Sequence, residues 1–144
     1  MGARVLLTVS TDGFVSEAGE AGWAFVVRGG GRGAGSVGDA TRRGRLPAGT
    51  TSHEAEWRAM LEALAFVEAD ARLAPGDEVE LRTDSALVAK GLASRKPAMS
   101  GAAAEARAAC RQALARLGAR GVRARVVRVP REANKEADRQ SRRR

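Results

Sequence analysis

The segment Arg4-Val5-Leu6-Leu7-Thr8-Val9-Ser10-Thr11 runs straight into Asp12-Gly13. Its β-branched and apolar residues read as a strand, and the Asp-Gly pair reads as the turn that ends it. So apolar a strand belongs at the centre of a sheet, and it delivers a carboxylate to the sheet's rim. Working outward, Gly22-Trp23-Ala24-Phe25-Val26-Val27-Arg28 reads as a second strand, and the glycine-rich run at 29–33 as a turn into a third strand within 35–46. Three antiparallel strands therefore open the chain.

At Thr51 the apolar period becomes helical. Thr51 and Glu54 have the spacing of a capping box, and Met60, Ala63, Leu64 and Val67 form one apolar face up to about residue 70. Glu56 shares that face, which points it at the sheet among apolar neighbours. Ala74-Pro75-Gly76-Asp77 stops the helix, and residues 78–83 alternate as a fourth strand. Asp84-Ser85 is suited to cap a short helix running to about Gly91. An alanine-rich helix follows over about 100–117, with Ala103, Ala106, Cys110, Leu114 and Leu117 inward. Residues 122–129 form a fifth strand, and Pro130 opens a last short helix around 131–141. The order βββ-α-β-α-α-β-α predicts an α/β fold: a five-stranded mixed sheet, three antiparallel strands and then parallel ones, flanked by helices.

The length of 144 residues suits one domain, expected to span 1–144. No apolar run approaches the roughly 18 residues that cross a bilayer, and no small-residue cleavage site follows the first residues. The expectation is a cytoplasmic monomer with no membrane and no protein partner. The single cysteine, Cys110, excludes an internal disulfide and a cysteine-type metal cluster. The formal net charge of +8 is unevenly placed: residues 107–144 hold 13 Lys and Arg against 3 Asp and Glu, whereas residues 1–106 hold 12 against 14. A basic surface of this kind neutralises phosphates and favours a nucleic-acid partner, although an arginine-rich composition alone produces the same balance. With 3% aromatic residues and no Tyr, a single-strand binder built on base-stacking platforms is disfavoured.

Four acids are placed for joint chemistry. Asp12 and Asp84 each end a strand, so a sheet that sets those strands side by side brings both to one edge. Glu56 arrives from the first long helix. Asp138 lies one turn after Asn134, beside Ala133 and Ala137, whose small side chains let the last helix dock closely. Taken singly, Asp12 reads as a turn residue, Asp84 as a helix cap and Asp138 as a solvated charge; only Glu56 is costly without a partner. Clustered carboxylates repel one another unless cations neutralise them, and oxygen-only ligation selects hard divalent ions such as Mg²⁺ or Mn²⁺.

In their order and spacing, these segments resemble the ribonuclease H type 1 family over nearly the whole chain. The matching residues are Asp12-Gly13, Thr51-Ser52-His53-Glu54-Ala55-Glu56, Thr83-Asp84-Ser85, and Val129-Pro130-Arg131-Glu132-Ala133-Asn134-Lys135-Glu136-Ala137-Asp138. The resemblance implies a ribonuclease H-like fold and an endonuclease that hydrolyses the RNA strand of an RNA/DNA hybrid, leaving 5'-phosphate and 3'-hydroxyl ends. By it, Asp12, Glu56, Asp84 and Asp138 are the ligands of two Mg²⁺ ions, or of Mn²⁺. Substrate contacts fall on Gly13, Ser52, His53, Ser85 and Asn134, and Glu56 senses the ribose 2'-hydroxyl that distinguishes RNA from DNA.

The chain departs from the family pattern in four places. Ser52 and His53 stand where Thr-Asn-Asn commonly precedes the helix glutamate. The loop histidine found in many members has no counterpart, since His53 is the only histidine; Arg131 is assigned the assisting role, and His53, one turn before Glu56, is either a stand-in for that histidine or a plain helix-entry residue. The stretch from Gly91 to Gly101 is too short for a basic protrusion, leaving Arg95, Lys96 and the C-terminal segment to grip substrate. Arg139 to Arg144 contain no apolar residue, so the last helix is expected to fray and Asp138 to be the most loosely held acid. The competing reading is a non-catalytic or weakly active hybrid-binding module of the same fold. A proofreading-type exonuclease would carry Asp-x-Glu on the first strand, where Phe14 stands instead.

Overall fold

The structure, a computed structural model, describes residues 5–30, 39–69, 73–93 and 101–142. Part of the expected 29–33 turn, the start of the 35–46 segment, Arg95 and Lys96, and the last two arginines lie outside them. The described elements are β1 (Leu6–Val15), β2 (Ala21–Gly30), β3 (Ala40–Leu46), α1 (Ser52–Ala69), β4 (Glu78–Thr83), α2 (Ala86–Ala93), α3 (Ala102–Ala119), β5 (Arg123–Arg128), a 3₁₀ turn (Arg131–Asn134) and α4 (Lys135–Ser141). Their order is the one expected. The strands form one sheet in the order β3-β2-β1-β4-β5, with β1 at its centre. β1 and β2 are antiparallel, as are β2 and β3; β1 with β4, and β4 with β5, are parallel. Parallel neighbours need a crossover, and the helices between β3 and β4 and between β4 and β5 supply it.

The core lies on one face of this sheet. Leu7 and Val9 of β1, Phe25 and Val27 of β2, and Val79 and Leu81 of β4 meet Trp57, Met60, Leu64 and Val67 of α1, with Cys110 and Leu117 of α3 behind them. Burial pushes the Cys110 thiol up to about 12, so it packs as an apolar group rather than reacting. α4 packs against β1 and β2. Its neighbours on β1 are Asp12 and Phe14, whereas Gly13 between them faces α1, so the two helices sit on opposite faces. The Thr51–Glu54 capping box forms as expected. Glu54 N–H donates to Thr51 Oγ1 at 3.1 Å, and Thr51 N–H to Glu54 Oε1 at 3.1 Å.

Two turn and cap readings are corrected by the structure. Asp12-Gly13 does not end the strand: β1 continues to Val15, and the chain reverses afterwards, where Ser16 N–H bonds Glu20 O and Gly19 has φ +87°. Gly13 is a glycine because a helix backbone lies against it. A Cβ there would sit 2.3 Å from the Ala55 carbonyl carbon and 2.4 Å from the Glu56 nitrogen. Likewise Ser85, not Asp84, caps α2, its Oγ accepting from Val88 N–H at 3.2 Å. Gly91 does not end that helix but lies inside it, against the Trp57 ring.

The Gly13 contact yields the first expected result. Gly13→Ala forces α1 off β1 and is expected to destabilise the protein by about 3 kcal/mol, the upper range of overpacking. Urea denaturation measures this, and a loss below about 1 kcal/mol would show that α1 shifts without cost.

Candidate metal centre

β4 stops at Thr83, which pairs with Thr11, while β1 runs on. At that step the next residue of each strand is an aspartate, so Asp12 and Asp84 emerge together where the sheet loses a strand. Close approach of α1 over Gly13 lowers Glu56 to the same point, and the Gly13 backbone N–H donates to its carboxylate. Asp12, Glu56 and Asp84 each offer an oxygen within 4.8 Å of the others. Asp138 comes from α4 on the opposite face. It lies close enough to Asp12 for its charge to raise the Asp12 carboxyl, while its Oδ1 accepts from Arg142 Nε at 3.0 Å. The structure thus brings all four acids to Asp12, three in a tight cluster and the fourth beside it.

The electrostatics follow from burial and like charge. Asp12 is 4% exposed. Desolvation, and then the charges of Asp84 and Asp138, push its carboxyl up to about 7 against the pull of the Ser141 hydroxyl. Desolvation, followed by Asp12 and Asp84, pushes Glu56 up to about 9. Glu56 Oε2 is buried with no hydrogen-bond partner. An orphaned carboxylate oxygen beside two other acids is what a bound cation would satisfy, and all-oxygen donors suit a hard divalent ion. The residues present therefore fit a metal site.

The other expected site residues divide. Arg131 is exposed and lines a groove with Asp84, Arg128, Val129 and Pro130, directly beside the acid cluster. Ser52 and His53 are exposed on the first turn of α1. Ser85 caps α2 with its hydroxyl oxygen as acceptor, which leaves the hydroxyl proton to donate. Asn134, expected as a substrate contact, is 1% exposed, and its Nδ2 donates to Thr11 O at 2.8 Å and to Asp84 Oδ2 at 3.4 Å. Burial assigns it to the framework that ties the turn after β5 to β1 and steadies Asp84.

The expected fraying is also corrected. α4 is helical to Ser141, which is 4% exposed and donates to Asp12 Oδ2 at 2.7 Å. Arg142 lies 4.3 Å from the Phe14 ring centroid. Sequence reasoning passed over both residues because they sit in a run of Arg, Gln and Ser without apolar periodicity. The available signal was spacing: Asn134, Ala137 and Ser141 recur at helical intervals, and all are buried.

Fold and acid cluster together define a ribonuclease H-like protein architecture, the fold expected from the motif resemblance. Solved structures bear this out. The chain is similar to ribonuclease H1 from the halophilic archaeon Halobacterium salinarum, with 24% identity, a TM-score of 0.73, and 94% of each chain covered. It is similar to LC11 ribonuclease H1, solved in complex with RNA/DNA hybrid, with 22% identity and a TM-score of 0.75, covering 94% of this chain and 93% of that one. The N-terminal ribonuclease H domain of a Mycobacterium tuberculosis protein aligns with 24% identity and a TM-score of 0.74, covering 96% of this chain and 91% of that one. No family model and no curated protein matches the sequence. Among the described residues, no helix is long and apolar enough to cross a membrane.

Proposed function

We propose that this protein is a metal-dependent endoribonuclease that hydrolyses the RNA strand of RNA/DNA hybrids, leaving 5'-phosphate and 3'-hydroxyl ends. The observation that carries the reading is the convergence of Asp12, Glu56 and Asp84 within 4.8 Å at the point where β4 ends. Asp138, close to Asp12, completes the ligand set. Mg²⁺ or Mn²⁺ suits these oxygen donors, and a pair of such ions, when bound, supplies activation of the attacking water and stabilisation of the leaving oxygen.

The chain's own residues provide the remainder. Glu56, anchored over Gly13, is the side chain placed to require a ribose 2'-hydroxyl. Arg131 is an exposed cation lining the same groove as Asp84, suited to assist departure of the cleaved strand's phosphate end. The Gly13 backbone, Ser52 and His53 at the start of α1, and Ser85 are the candidate contacts to sugars and phosphates, which would give little sequence preference. The basic C-terminal quarter supplies the non-specific attraction. A monomer acting in the cytoplasm is the working form.

One assay tests this. The protein is incubated with Mg²⁺ or Mn²⁺ and labelled RNA/DNA hybrid, duplex DNA, duplex RNA or single strands. Cleavage of RNA in the hybrid alone supports the reading. Binding of hybrid without cleavage under either ion would instead establish a passive module of the same fold.

A further inference from the structure

We infer that the C-terminal end of α4 is a positioning element for the acid cluster, in which the Ser141 hydroxyl restrains Asp12 and the Arg142 guanidinium restrains Asp138. This rests on the proposed cation site but concerns residues to which that reading gives no part.

The Ser141 Oγ lies 2.7 Å from Asp12 Oδ2 and 2.8 Å from the Asp138 carbonyl oxygen. The hydroxyl has a single proton, which these two acceptors share; together they fix where its oxygen sits, and the contact with Oδ2 ties one oxygen of Asp12 and thereby sets the direction of the other. A ligand held in this way reaches a cation already oriented, whereas a free carboxylate must lose rotational freedom on binding.

Arg142 acts on the neighbouring acid. Its Nε donates to Asp138 Oδ1 at 3.0 Å, and its guanidinium stacks over Phe14, two residues along β1 from Asp12. The seat beneath this helix end is built for close approach. A Cβ on Gly22 would come within 2.9 Å of the Ser141 carbonyl oxygen, so only glycine lets the helix end settle on β2. The contacts come from different elements: Gly22 from β2, Phe14 from β1, and Ser141 and Arg142 from the end of α4. Docking of the helix end and cation binding are therefore linked, each favouring the other by the same factor.

The test is calorimetric titration of the whole chain with Mg²⁺ and with Mn²⁺, paired with the rise in melting temperature that each ion produces, for wild type, S141A, S141T and G22A. Nuclease activity is not needed as a readout. S141A and G22A are expected to weaken ion binding about tenfold and to shrink the ion-induced rise in melting temperature, while S141T, which keeps the hydroxyl, stays within about twofold of wild type. Circular dichroism and the metal-free melting temperature establish that S141A is folded. A folded S141A that binds both ions as wild type does overturns the inference and leaves the proposed nuclease untouched. A wild-type chain that binds neither ion overturns the cation site itself, and this inference with it.

Discussion

Asp84→Asn is expected to lower cleavage of RNA in an RNA/DNA hybrid by about a thousandfold or more, the scale set by several kcal/mol of lost transition-state stabilisation, while hybrid binding is retained. The substitution is nearly isosteric. It leaves the Ser85 cap of α2 and the β4 register intact, because neither uses the Asp84 side chain. What changes is the charge available to a divalent ion at the rim of the sheet. Single-turnover cleavage and a binding titration in Ca²⁺, measured side by side, check the two halves of the expectation. Retained cleavage in the variant would remove Asp84 from the ligand set, and loss of hybrid binding would make it a substrate contact instead.

The second large effect concerns pH and metal together. Asp12 and Glu56 are pushed up to about 7 and about 9, mainly by burial and then by one another's neighbours. In the unfolded chain both titrate near 4. Above that value and up to the raised ones, the folded state holds more protons than the unfolded state, so stability falls as pH rises. Their contribution is fully present below about pH 4 and is lost through about pH 7 to 9. In chelator-treated protein, the melting temperature is expected to drop by at least several degrees between about pH 5 and pH 9. Mg²⁺ should remove most of that drop, since a bound cation makes the ionised form the favourable one. Asp12→Asn should flatten the metal-free profile and raise the melting temperature at the alkaline end. A metal-free profile that rises toward pH 9 would mean that the acids are not held together as described.

The same cluster shows where reading the residues succeeds. Glu56 is legible in the sequence because a charge on an apolar helical face is costly, and the structure finds it half-buried beside Asp12 and Asp84. Thr51 and Glu54 form the capping box that their spacing announced, since a cap is made within one turn of chain. Asp12-Gly13, by contrast, looks the same whether glycine serves a turn or the approach of a helix. Only the position of Ala55 against it distinguishes the two. The Arg139 to Arg144 run reads as a frayed end because hydropathy registers apolar contacts. The contacts that dock this end are a hydroxyl on a carboxylate, a guanidinium on a ring and a backbone on a glycine.

By itself, the sequence determined the element order, the central place of β1 and the four acids, because periodicity, caps and turn residues act over a few positions of chain. Tertiary structure alone decided that β1 runs past Asp12, that β4 stops one residue short of Asp84, and that the end of α4 settles on Gly22. Those outcomes depend on strand order, register and the fit of surfaces from remote parts of the chain, where a missing Cβ or a single hydroxyl decides whether two elements touch.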